Sequence, residues 1–111
     1  MWNKPTQKQL AALPPLYSTE DVEEEDKIIQ MHFFLGGSDW YAVEYSPDDQ
    51  RFFGFVILNG DMLNAEWGYF SLPELCEVKA NGVIEVDRDI PWIPCPARNL
   101  LKICEAQGWK A

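Results

Sequence analysis

The sequence predicts an α+β fold: a twisted antiparallel sheet of four to five strands, with a short N-terminal helix and a C-terminal helix packed on one face. Three observations predict it. Residues 27–70 carry apolar side chains with period two in four successive runs, the spacing of strands on a pleated sheet. Between the runs stand Gly36-Gly37-Ser38-Asp39, Ser46-Pro47-Asp48-Asp49-Gln50 and Asn59-Gly60-Asp61, turn chemistry too short for parallel crossovers. Residues 97–107 then place Leu100, Leu101, Ile103 and Cys104 on one helical stripe that stops at Gly108. A chain of 111 residues supports a single core, so one domain is expected over 1–111.

In chain order, residues 6–13 read as a short helix. Thr6 caps it, Gln9 completes a capping box, Leu10 and Leu13 mark its apolar side, and Pro14-Pro15 ends it. Glu20-Asp21-Val22-Glu23-Glu24-Glu25-Asp26 has six acids in seven residues, too self-repelling for a strand, and is expected to be a solvated connection or a mobile flap. The first strand, 28–35, points Ile29, Met31, Phe33 and Leu35 at the core and leaves Ile28, Gln30, His32 and Phe34 on a mixed face. Residues 40–45 form the second strand. Residues 51–58 form the third, which is bulky on both faces and therefore central; its Gly54 relieves crowding against Trp40 or Trp67, or leaves a ligand slot. Residues 65–70 form the fourth. Phe33, Val43, Phe53, Phe55, Ile57 and Trp67 are expected to be buried.

Ser71 can cap a helical turn over 71–78, with Pro73 in its first turn and Glu74 closing the box. Residues 83–87 alternate like a short fifth strand at an edge, with acids on the outer face. In the meander turns the glycines are expected at positive φ, and Asp39 and Asp61 are expected to fix the turns by accepting backbone hydrogen bonds.

Composition narrows the function. The formal net charge of −9 repels phosphate backbones, so direct nucleic-acid binding is not expected; a basic protein surface suits the chain better. The excess lies early: residues 1–26 hold six acids and two bases, and residues 39–66 hold six acids and one base. No apolar run approaches the roughly 18 residues of a membrane span, and the N-terminus lacks a leader-like apolar stretch, so a cytoplasmic setting without membrane contact is expected. Cys76, Cys95 and Cys104 are odd in number and lack CxxC spacing, and there is one histidine, so buried free thiols are expected rather than a disulfide framework or a zinc site. That histidine, His32, stands in mid-strand among apolar neighbours and reads as a hydrogen-bonded structural residue, since a general base needs a positioned partner.

The stretches Met1-Trp2-Asn3-Lys4-Pro5-Thr6, His32-Phe33-Phe34-Leu35-Gly36-Gly37-Ser38-Asp39-Trp40-Tyr41, Phe53-Gly54-Phe55-Val56-Ile57-Leu58-Asn59-Gly60-Asp61 and Asn64-Ala65-Glu66-Trp67-Gly68-Tyr69 resemble a bacterial domain-of-unknown-function family of small proteins carried on plasmids, phages and integrating mobile elements. The resemblance covers nearly the whole chain and transfers no catalytic residue. It implies a setting in which accessory proteins protect an element from host defence or manage its transfer.

Two classes of function follow. In the first, the chain is an acidic binding module that inhibits a host defence complex, CRISPR-Cas or restriction, by occupying its nucleic-acid-binding surface. Glu23, Glu24, Glu25, Asp26, Asp48 and Asp49 then meet the partner, and no cofactor or metal is needed. In the second, a small enzyme or metal-binding protein uses Asp39, Asp61 and Glu66 with His32; a regulatory scaffold is a further alternative. The carboxylates could hold a divalent ion, but they lack calcium-loop spacing and a nucleophile paired with a base.

Overall fold

The longest strand organises the molecule. In the computed structural model, which describes residues 1–110, Ser38–Ser46 is buried along almost its full length because both of its faces are covered. Ala111, the last residue of the expected domain, lies outside the described residues.

In chain order the elements are α1 (Gln7–Ala11), a 3-10 turn (Glu24–Asp26), β1 (Ile28–Ile29), β2 (Met31–Leu35), β3 (Ser38–Ser46), β4 (Arg51–Ile57), β5 (Glu66–Ser71), α2 (Leu72–Glu77), β6 (Lys79–Ala80), β7 (Ile84–Glu85), β8 (Asp87–Arg88), β9 (Cys95–Pro96), a second 3-10 turn (Ala97–Asn99) and α3 (Leu101–Gln107). The main sheet is antiparallel and five-stranded, in the order β5-β4-β3-β2-β8. No helix among the described residues is long and apolar enough to cross a membrane.

Each face of the sheet has its own core. Met31, Phe33, Trp40, Ala42, Tyr45 and Phe52 meet Leu10 and Leu13 near α1, and Leu72 and Leu75 of α2. Tyr41, Val43, Phe55 and Ile57 meet Ile29, Ala97 and Ile103 on the α3 side. Phe33, Val43, Phe55 and Ile57 are fully enclosed, while Phe53 and Trp67, expected in the core, are half-buried toward the β5 edge.

Several local signals act as their chemistry dictates. Thr6 Oγ1 accepts from Gln9 N–H while the Gln9 side chain accepts from Thr6 N–H, the full reciprocal box. Ser71 caps α2 by accepting from Glu74 N–H. Gly108 ends α3 in the left-handed region at φ 71°.

Other expectations are corrected. The run 28–35 breaks at Gln30: β1 leaves the main sheet to pair with β9, so Ile29 enters the α3-side core while Met31 and Phe33 enter the other. The fifth strand is β8, not residues 83–87; Ile84–Glu85 instead closes a hairpin with Lys79–Ala80 around Asn81-Gly82. The last helix begins at Leu101 rather than Ala97, and Leu101 faces solvent. Gly36 takes positive φ, but Gly37 does not, because β3 already begins at Ser38. The cysteines are free, yet only Cys104 is buried; Cys76 and Cys95 are half-buried.

Gly54 relieves crowding as expected, but against main chain rather than against Trp40 or Trp67. It lies opposite Ala42, where β3 bulges by one residue, and a Cβ there would overlap the Tyr41 carbonyl oxygen and sit 2.8 Å from its carbon. The crowding comes from backbone, so only glycine fits.

Candidate functional site

Two polar constellations lie on the α3 side of β3, one at each end. The first is built on Asp39. Tyr41 is the register partner of His32 across β2 and β3, so their rings stack at 4.6 Å and 9°, and Asp39, two residues earlier, shares that face. His32 Nε2 lies 2.8 Å from Asp39 Oδ1, and His32 Nδ1 lies 3.0 Å from Asp89 Oδ2. Lys102 of α3 donates to Asp39 Oδ2 at 3.0 Å. Trp92 closes the side of the cluster, with its ring 5.1 Å from His32 and its N–H donating to Ile29 O.

This cluster joins four parts of the chain. Burial by itself raises the Asp39 carboxyl, but the hydrogen bonds from His32 and Lys102 overcome that and hold it below the usual carboxylate range. Burial, then the Asp39 and Asp89 charges, push the Tyr41 hydroxyl far up. Both ring nitrogens of His32 are engaged by carboxylate oxygens, so neither faces open space where a substrate would sit. Burial also pushes the Cys95 thiol up, away from the thiolate form a nucleophile needs. The arrangement is suited to clamping β2, β3, the segment after β8 and α3 together.

Asp39 is therefore not a turn-fixing residue. It stands inside β3, 3% exposed, with side-chain partners in place of turn amides. Asp61 does accept from Asn64 N–H at 3.2 Å and from the Asn64 side chain at 2.7 Å, which lowers its carboxyl. The four residues of the enzyme reading do not converge: His32 and Asp39 are on the α3 side, whereas Asp61 and Glu66 rim a groove with Trp40 and Val56 of the opposite core. No group of three His, Cys, Asp or Glu side chains among the described residues is arranged to hold a metal ion.

The second constellation is built on Glu44, also 3% exposed. The bulge between Ala42 and Glu44 makes Glu44 the register partner of Phe53, so it turns toward the α3 side instead of joining Trp40 and Ala42. There its carboxylate accepts from Tyr17 N–H at 2.8 Å, from Thr19 N–H at 3.0 Å and from the Thr19 hydroxyl. The buried ammonium of Lys27 donates to Thr19 O and to Thr19 Oγ1 and lies 5.7 Å from the centre of the Phe53 ring. Thr19 thus bridges a buried anion and a buried cation, and Glu44 fastens the 17–27 segment to the sheet.

That segment overhangs a groove of about 370 Å³. Phe53, Tyr17 and Tyr69 supply aromatic walls, and Glu20, Asp21, Glu23 and Glu24 supply the acidic rim. Of the six acids expected to meet a partner, Glu23 and Glu24 line this groove. Glu25 is exposed beside it, Asp26 pairs with Arg98, and Asp48 and Asp49 are exposed in the β3–β4 turn. Glu44, Lys27, Tyr17, Asp89 and Lys102 were not singled out from the sequence. A lone carboxylate in mid-strand is the one signal that marks Glu44, since it must find donors if the strand is central.

Nothing among curated proteins or solved structures matches the chain. A family model does match it, over residues 5–100. The chain belongs to the family described as protein of unknown function (DUF2958).

Proposed function

We propose that this protein is a non-enzymatic acidic binding module of a mobile genetic element, acting in the cytoplasm. It docks on the basic surface of a nucleic-acid-handling host defence complex, CRISPR-Cas or restriction, and competes there with nucleic acid. The observation that carries this reading is the placement of Glu20, Asp21, Glu23, Glu24, Glu25 and Asp26, all exposed, on a segment anchored through Glu44 beside an aromatic-walled groove. A net charge of −9 concentrated in this way attracts cationic surfaces and speeds their encounter. Aromatic walls favour Arg and Lys side chains by cation–π contact. The resemblance to a family carried on mobile elements supplies the biological setting.

The test is made in a host with an active CRISPR-Cas or restriction system challenged by a phage that the system targets. Expression of the protein should raise plating efficiency, and Glu20, Asp21, Glu23 and Glu24 changed together to lysine should abolish the gain while the fold survives. The purified protein should capture the defence complex at low salt and release it at high salt, as charge-steered association does. Unchanged plating in hosts carrying each system, or full protection by the reversed variant, overturns the proposal.

A further inference from the structure

The sheet has two edges in contrasting states. β8 is two residues long, and the N-terminal segment lies along it: Trp2 N–H donates to Val86 O at 2.9 Å, Asn3 Nδ2 to Asp87 Oδ1 at 2.8 Å, and Arg88 Nε to Asn3 O at 2.8 Å. β5 runs for six residues and, among the described residues, pairs on its β4 side only. Natural edges are usually blunted by charge, proline or a bulge. Glu66-Trp67-Gly68-Tyr69-Phe70-Ser71 has one charged residue and no proline, and its register with β4 is unbroken.

Both flanks of this edge are grooved. On the α1 and α2 side, Trp40, Val56, Gly68 and Phe70 wall a groove of about 440 Å³ whose rim carries Asp61 and Glu66. A Cβ built on Gly68 meets no heavy atom within 4 Å, so the wall is open there. On the other side is the aromatic and acidic groove beneath residues 20–24. Tyr69 belongs to both, so the two grooves meet at β5.

We infer that β5 is a docking edge for an extended basic segment of a protein partner, which adds to the sheet as a sixth strand. An added strand satisfies the outward backbone groups of β5 and sends alternate side chains to opposite faces. One set reaches Trp40 and Phe70 with the Asp61 and Glu66 carboxylates at the rim. The other reaches Tyr69 with the Glu20–Glu24 acids beyond it. Arginine and lysine suit both, laying alkyl stems on the aromatic walls with their charges at the carboxylates. A second copy fits worse, because a chain of net charge −9 brings acids to acids. The inference rests on the protein-binding reading above and names the surface and the partner's conformation.

The probe is a short capped peptide alternating arginine and valine, titrated into isotope-labelled full-length protein and followed by NMR. Amide signals of residues 66–71 should shift, and their hydrogen exchange should slow. Glu66→Lys and, separately, Gly68→Trp should each weaken binding about tenfold or more. Glu66 is exposed, so its variant keeps the test valid if the tryptophan variant fails to fold. The same peptide with alternate backbone nitrogens methylated should lose binding, since it keeps its charge but cannot complete a strand ladder. Equal binding of the methylated peptide, shifts confined to residues 20–26, no shift at all, or dimerisation of the free protein through β5 overturns the inference. If Glu66→Lys abolishes peptide binding but leaves phage protection intact, the edge is not the docking surface and the proposed function stands. If the peptide docks on β5 but expression never protects the phage, the edge inference stands and the proposed function falls.

Discussion

Asp39 and Glu44 are both buried carboxylates on the same face of one strand, five positions apart, and they are satisfied in opposite ways. Asp39 takes side-chain partners, the His32 ring from the neighbouring strand and the Lys102 ammonium from α3. Glu44 takes backbone and hydroxyl donors from a segment 25 to 27 residues earlier in the chain. The first holds regular elements that already have apolar cores to join them. The second orders a polar segment with little apolar surface of its own, so the acidic rim of the groove depends on one carboxylate at the floor. A buried anion can thus serve as a rivet between elements or as a mould for a loop, depending on whether its donors are side chains or main chain.

The comparison breaks most completely if the two residues cease to share a face. Gly54→Ala drives a Cβ into the Tyr41 carbonyl at the bulge that turns Glu44 toward the α3 side. It should destabilise the protein by more than about 4 kcal/mol, or prevent folding, as read by urea denaturation or recovery of soluble protein. Glu44→Ala comes next. It strands the Tyr17 and Thr19 amides and the Thr19 hydroxyl, donors that each cost about 1–3 kcal/mol when left without a partner, so a loss of about 3–5 kcal/mol is expected. Limited proteolysis should then cut within residues 17–27 before the sheet unfolds; if the segment stays as protected as in the parent, Glu44 does not mould it.

Asp39→Asn should cost about 1.5–3 kcal/mol in the same denaturation experiment, since it weakens charge-assisted hydrogen bonds without emptying the site. Its protection from proteolysis at residues 17–27 should match the parent, which separates rivet from mould. Acid titration sharpens the point. The Asp39 carboxyl is held below its ordinary value of 3.8, so its contribution to stability is complete above that value and is lost as pH falls through the lower folded one. The parent should lose stability more steeply than Asp39→Asn below pH 3.8, and parallel curves would remove the rivet from the account. The smallest effect belongs to Arg98→Ala, which breaks an ion pair with Asp26 whose side chains are each 53% exposed; a change of about 0–1 kcal/mol is expected, falling further with added salt.

Much of the architecture was legible because its causes are local. The alternation in 31–35, the apolar run 51–57, the Thr6 box, the Ser71 cap and the turn at Asn59-Gly60 each depend on residues close together in the chain, and the structure uses each of them. The family resemblance was legible for the same reason, in runs of contiguous residues. The polar sites were not. Asp89 lies 57 residues from His32, and Lys102 lies 63 from Asp39, so no spacing rule links them. Asp39 beside Gly36-Gly37 resembles a turn acid until β3 is seen to begin one residue earlier.

By itself, the sequence determined the antiparallel meander, the helices at either end, the acidic balance and the family, because these follow from period, turn chemistry, composition and contiguous motif. Tertiary structure alone decided which edge of the sheet stays open and which the N-terminal segment covers. It also decided that Ile29 and Met31 enter different cores, and that Glu44 faces residues 17–27. The physical reason is common to all of these: a single-residue break at Gln30 or bulge at Val43 reverses the face of everything beyond it. Such a break is chosen by the packing of distant segments rather than by the residues on either side.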